Sequence, residues 1–299
     1  MTGRILVVNG DDFGVTPGVN AGILDAHTRG ILTSASMFAN AAATSEALAL
    51  ARRTPTLGIG CHLTLVDGAP LLPPSRVPTL APDGVFRPTW GEFIAAALAR
   101  RIALREVERE LEAQIDRVRS AGIRLTHLDS HKHVHAYPPV FRLVARLARR
   151  FGIATVRVPY EAPAARWLVR TAFTPGGRRQ AIENAALAPW CAYDDRILAA
   201  EGLPAAPRFL GRVLTGLFTP HNVAALVRSA AAGTNELMTH PGYVDDALNG
   251  VHTRLRAARE AEVAALIDPI VGDAVRSASV SLQPHGVHRP VLESQSHAS

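Results

Sequence analysis

The sequence predicts an α/β protein, a single domain on a closed or partly closed parallel barrel. Three observations predict it. Short β-like runs alternate with helical ones, the pattern of parallel strands joined by helical crossovers. At least seven runs qualify as strands, more than a small doubly wound sheet needs. The residues able to carry chemistry fall where predicted strands end, and a parallel barrel gathers those ends at one mouth.

Taken in order, 4–8 (Arg-Ile-Leu-Val-Val) reads as the first strand. A helix follows over 17–29, with Thr16 as N-cap, Pro17 at its first position and Gly30 as its stop. Strands are predicted over 31–37 and 57–65, with a helix over 44–53 between them. The stretch 66–90 carries Pro70, Pro73, Pro74, Pro78, Pro82 and Pro88, too many for regular structure, and long loops of this kind are often functional. Helices are predicted over 90–100 and 104–121, the second rich in i,i+4 charge pairs and read as solvated on one face. A strand over 124–128, a helix over 139–151 and a strand over 154–158 continue the alternation. Residues 160–220 read as mostly helical, broken at Gly176-Gly177 and between Pro204 and Pro207. The remainder gives a helix over 221–232, a strand over 236–239, a helix over 253–266 and a last strand over 274–282. The barrel domain is set at 1–283. The aperiodic His-, Pro- and Ser-containing residues 284–299 are expected to be a disordered tail.

Composition narrows the function. With 47% apolar and 19% charged residues among 299, the chain is an ordinary globular protein. Two cysteines, Cys61 and Cys191, exclude a disulfide scaffold or a Cys-rich zinc module. No apolar run approaches the roughly 18 residues of a bilayer span, and the short run at 5–8 is no signal-peptide core, so a soluble cytoplasmic protein is expected. The net charge is +6, but Lys132 is the one lysine and the arginines are scattered beside acids. That argues against a nucleic-acid surface, and it makes Schiff-base or P-loop chemistry improbable.

Four clusters carry the chemistry. Asp11 and Asp12, in Asn9-Gly10-Asp11-Asp12-Phe13-Gly14, are adjacent carboxylates that repel unless a cation lies close. His62 sits in Gly60-Cys61-His62-Leu63, where a core histidine is the alternative reading. The run from Thr126 to His135 places His127, Asp129, His131, His133 and His135 at every second position, on one side wherever the chain is extended. His240 ends a strand and is locked by Pro241-Gly242. Two histidines and a carboxylate leave open positions on a divalent cation. A second carboxylate and a non-ligand histidine then supply base and acid, the inventory of metal-assisted hydrolysis.

Together these motifs resemble the YdjC-like carbohydrate deacetylases, which include chitooligosaccharide deacetylases and a hopanoid-biosynthesis-associated branch. The resemblance runs from Arg4 to about Tyr243, with the motifs in family order. It implies a distorted TIM-like (β/α) barrel of the glycoside hydrolase/deacetylase type. It also implies removal of an N-acetyl group from an N-acetylglucosamine-type sugar or glycolipid, giving acetate and the free amine. By the resemblance, Asp12, His62 and His131 are the ligands of one divalent ion, magnesium or zinc. Asp11 is the general base and His240 the general acid. By the same resemblance Arg157 orients Asp11 or holds substrate, and His133 and His135 support the ligands from behind or contact substrate. A homodimer is a further expectation of the family, with no nucleic-acid partner. Asp129-Ser130 is like the chitooligosaccharide members, whereas the stretch 190–216 is closer to the hopanoid branch. Two other readings use the same residues: hydrolysis of another bond such as a phosphoester, or sugar binding at a vestigial site. Trp90, Tyr137 and Tyr160 are candidates for stacking on sugar faces, although aromatic side chains are commonly buried in a core.

Overall fold

In a computed structural model, residues 3–162 and 175–287 are described. Strands β1 (Arg4–Phe13), β2 (Ser34–Met37), β3 (Gly58–Leu63), β4 (Leu125–Ser130), β5 (Thr155–Val156), β6 (Arg208–Leu210), β7 (Gly233–Thr239) and β8 (Val280–Leu282) form one sheet. Every pairing is parallel, in the order β5-β4-β3-β2-β1-β7-β6, with β8 added to β1. Sequence order therefore runs around a barrel whose seam lies between β5 and β6, unpaired among the described residues. This is the predicted single-domain α/β barrel in its distorted, incompletely closed form.

Helices α1 (Pro17–Thr28), α2 (Thr44–Arg53), α3 (Trp90–Leu98), α4 (Leu104–Ser120), α5 (Pro138–Phe151), α6 (Pro175–Ala200), α7 (Pro220–Arg228), α8 (Asp246–Asn249), α9 (Ala257–Ile267) and α10 (Pro269–Ser277) supply the crossovers and outer packing. Thr16 caps α1, its side chain accepting a hydrogen bond from the Val19 N–H, with Pro17 in the first turn. Helix α4 does more than present a solvated face. Glu106 accepts from the N–H groups of Thr79 and Leu80, and Glu110 from those of Leu71 and Leu72. Gln114 exchanges two hydrogen bonds with the Thr64 backbone. A proline-rich loop cannot satisfy its own backbone, so buried side chains of α4 do it.

Three expectations change. Residues 274–277 belong to helix α10, because Asp268 caps that helix and Pro269 opens it; only Val280–Leu282 is strand. Strand β6 lies inside 160–220, which the sequence predicts to be mostly helical; its three residues are too short to show a period. The expected tail does not begin at 284: the Gln283 N–H donates to Leu6 O, and His285 is buried. Residues 288–299 lie outside the described residues, as does 163–174. No helix among the described residues is long and apolar enough to cross a membrane.

Candidate active site

Strand β1 runs five residues beyond the apolar stretch read from the sequence, and its last residues build the site. In a regular strand Asp11 and Asp12 would point to opposite faces. The register with β2 breaks between Gly10 and Phe13, and Asp12 adopts φ 74°. This bulge re-aims the second carboxylate, so that Asp11 turns to Arg157 while Asp12 turns to His62 and His131. A non-glycine residue in the left-handed region costs free energy, and such strain gathers at functional sites.

Asp12, His62 and His131 converge, each offering one donor atom within 4.8 Å of the others. Asp12 Oδ1 lies 3.6 Å from His62 Nε2 and 3.6 Å from His131 Nδ1. These distances are too long for hydrogen bonds. They are close to the roughly 3–3.5 Å between ligands that each sit about 2.1 Å from one ion. The three come from the ends of β1, β3 and β4. Asp12 and His62 are buried, whereas His131 keeps part of its ring exposed, as an open site requires. On the far side of Asp12, Oδ2 accepts from Arg259 Nη2. Burial would raise the Asp12 carboxyl, but Arg259 and His131 outweigh it and hold it well below the usual carboxylate range.

A second triad, Asp11, His62 and Asp129, shares His62 and lies deeper. Here a guanidinium already fills the space. Arg157 Nη1 and Nη2 grip Asp11 at 2.7 and 2.8 Å, and Nη1 also reaches Asp129 Oδ2 at 2.7 Å. Its Nε donates to Glu236 Oε1 at 2.7 Å. Asn9 Nδ2 adds a 2.8 Å bond to Asp11, and Ser36 Oγ donates to Asp129. Asp129 Oδ1 takes His62 Nδ1 at 2.9 Å, which leaves Nε2 for the outer triad. Burial raises Asp11 despite Arg157, while Arg157 and His62 hold Asp129 well below its ordinary value against the same burial. Burial lowers His62, but Asp129 outweighs it and the net shift is upward.

Four buried carboxylates (Asp11, Asp12, Asp129 and Glu236) thus face two buried guanidinium groups, those of Arg157 and Arg259. The excess is negative and the donor set is one carboxylate with two imidazoles. The residues fit a divalent cation at Asp12, His62 and His131.

His240 follows Thr239, which pairs with Gly10, so it lies beside the bulge. Its N–H donates to Glu262 Oε2 and its Nδ1 is buried without a partner. Burial, with the charges of Arg259, His62 and Arg157, pushes the imidazole down to about 3, against the pull of Asp12. The turn from His240 to Tyr243 packs on two glycines of α1: a Cβ on Gly22 would stand 2.4 Å from Gly242 Cα, and one on Gly18 2.4 Å from Tyr243 O. That close approach fixes where His240 stands.

The period-two reading holds only for His127 and Asp129, within β4. After Ser130 the chain enters a 3-10 turn in which Lys132 and His133 have φ 52° and 54°, so extended alternation stops. His127 lies beneath Asp129, near Ser36, in space that Gly60 leaves open; a Cβ there would be 2.3 Å from the ring. His135 is buried with both nitrogens engaged, by Ser130 Oγ and Arg157 O, so it braces the turn and β5. His133 is nine-tenths buried against Phe209, its Nδ1 unpartnered. Trp90 and Tyr137 pack on Trp190, at 5.5 and 5.4 Å between ring centroids, and Tyr160 is half-buried.

Sequence reasoning missed Asp67, Glu236, Arg259 and Glu262 and gave Asp129 no role. Asp129 carried a signal, since it shares the alternation. Arg259 and Glu262 did not: they sit in an ordinary helix and meet Asp12 and His240 only through the fold.

The sequence model of the YdjC-like protein family matches residues 5–277. A carbohydrate deacetylase of Brevibacillus brevis is 37% identical over 248 residues, spanning 81% of this chain and 83% of that protein. A chitooligosaccharide deacetylase of Salmonella typhimurium is 40% identical over 153 residues, half of this chain and 58% of that one. Among solved structures, an Enterococcus faecalis V583 protein named as a proposed cellobiose-phosphate cleavage protein superposes with a TM-score of 0.75 at 26% identity, covering 95% of this chain and 98% of that one. The chain belongs to the YdjC-like protein family.

Proposed function

We propose that this protein is a metal-dependent hydrolase that removes the acetyl group from an N-acetylated sugar, releasing acetate and the free amine. One observation carries the reading: an open triad of Asp12, His62 and His131 stands beside a carboxylate, Asp11, that is locked in place and is not needed as a ligand. The names of the Brevibacillus and Salmonella relatives support the acetylated sugar as substrate.

Asp12, His62 and His131 would hold the ion, which when bound supplies Lewis acidity toward the acetamide carbonyl and toward a water. Asp11 takes the proton of the attacking water. Its raised basicity suits that task, and the two-point Arg157 grip keeps the carboxylate from swinging toward the ligands. Burial and the neighbouring cations disfavour the protonated His240 ring, so it starts neutral and must gain a proton before it can donate one. The proton gained at Asp11 is therefore the one that His240 can pass to the leaving nitrogen. The Glu262 bond to its backbone holds the ring at the rim while this occurs.

The test is metal analysis of the purified protein joined to acetate release from a panel of N-acetylated mono- and oligosaccharides. Chelation is expected to abolish release and a divalent ion to restore it. Acetate release that persists without any metal, or a metal-loaded protein that cleaves none of the panel, contradicts the reading.

A further inference from the structure

Beneath the catalytic layer the barrel is closed by the end of the described chain. Strand β8 pairs with the first residues of β1, Arg4 to Leu6, on the edge that β2 occupies from Asn9 onward. The segment then crosses under the starts of β2, β3 and β4. The His285 N–H donates to Ser34 Oγ at 3.0 Å. Gly58 leaves room for Pro284, since a Cβ there would stand 2.8 Å from Pro284 Cβ. Gly286, at φ 78°, turns against Thr126. The crossing inserts one polar ring into the barrel. His285 is 3% exposed, stacks on His127 at 4.1 Å between centroids, and brings Nε2 to 3.6 Å from Glu236 Oε2. Glu236 in turn holds Arg157 by both Nε and Nη2, and Arg157 holds Asp11.

We propose that His285 is a positioning residue: through Glu236 and Arg157 it fixes the Asp11 carboxylate from the opposite end of the barrel. The geometry has a clear logic. Glu236 Oε1 faces Arg157, and His285 Nε2 stands 3.6 Å from Oε2. A carboxylate held on one oxygen can rotate, and its guanidinium with it. With the His285 ring packed 3.6 Å from Oε2, within ion-pair reach though longer than a hydrogen bond, the carboxylate has less freedom to turn and Arg157 keeps one orientation. His285 touches neither the ligand triad nor the mouth, so it acts on turnover rather than on substrate binding. The inference rests on the hydrolase reading, in which Asp11 is the base.

The experiment compares His285→Phe, which refills the space without a polar contact, with His285→Gln, which can donate to Glu236. Three quantities are read: kcat and KM for acetate release, melting temperature, and the NMR signal and exchange rate of the Arg157 Nε–H. His285→Phe is expected to lower kcat by about tenfold, as outer contacts of active-site groups commonly do. KM should stay within about twofold, and Arg157 Nε–H exchange should quicken. His285→Gln is expected to restore kcat and the slow exchange. A Phe variant with native kcat and native Arg157 exchange overturns the proposal, as does a kcat loss that Gln fails to restore while the Arg157 signal stays native. If neither wild type nor variants release acetate from any sugar, the hydrolase reading fails. The Arg157 signal still decides whether His285 orders this chain of contacts.

Discussion

The outer and inner triads are built from the same chemistry and behave as opposites. Each has carboxylate and imidazole donors within 4.8 Å, and they share His62. The inner one is crossed by the Arg157 guanidinium, every donor is hydrogen-bonded, and its residues are almost wholly buried. The outer one has no internal hydrogen bond, reaches the mouth through His131, and is compensated only on the far side, by Arg259. A cluster of acids and histidines therefore does not define an ion site by its composition. What decides is whether the fold has already put a cation of its own there.

The sharpest way to break this comparison is Asp12→Ala. Turnover is expected to fall to background and the protein to lose its ion, read by metal analysis and acetate release together. Ion retained at wild-type level would move the site elsewhere. Asp11→Asn should separate the triads: it leaves the outer ligands intact, so bound metal is expected to persist while kcat falls by about 10²–10⁴-fold. Near-native turnover in that variant would remove Asp11 as base. Arg157→Met tests the filling cation. It removes the guanidinium shared by Asp11, Asp129 and Glu236, and a loss of about 3–5 kcal/mol in denaturant unfolding is expected. Asp67→Asn probes the outer rim. Asp67 Oδ2 lies 3.8 Å from His131 Nε2 and also pairs with Lys132. Weakening that orienting charge should reduce metal affinity about tenfold by calorimetry, with the fold unchanged.

Asp194 supplies the smallest and most informative contrast, a buried carboxylate with neither guanidinium nor ion. Both its oxygens lack a partner, and burial pushes it up to about 9, with Asp195 adding to the rise. In the unfolded chain it ionises in the ordinary carboxylate range. Stability is thus fully present below that range and is lost progressively as pH rises toward 9. Asp194→Asn is expected to raise the melting temperature by a few degrees at pH 8 and leave it unchanged at pH 4. Equal shifts at both pH values would mean that the carboxyl is not the cause.

The sequence revealed what repeats or clusters locally. Strand–helix alternation, the Thr16-Pro17 start of α1 and the strand-end positions of Asp11, His62, His131 and His240 were all legible. What was not legible depends on distance in the chain. Arg259 reaches Asp12 across 247 residues, and its helix has no feature that distinguishes it from a surface helix. The charge-rich face of α4 looked solvated because Glu106 and Glu110 alternate with arginines. Their burial follows from proline-depleted backbone bonding in a loop that precedes them. The left-handed residues Asp12, Lys132 and His133 defeat period counting, because a pattern of twos assumes an extended chain.

Among the described residues the sheet is unpaired between β5 and β6, and that edge stands apart from the proposed site. Its flanking strands are two and three residues long, while the proposed ligands, base and acid sit on β1, β3, β4 and β7 or just past their ends. Segments inserted at that edge can lengthen, shorten or change character without shifting a reacting atom. Such an edge is a place where the fold can vary while the proposed chemistry stays where it is.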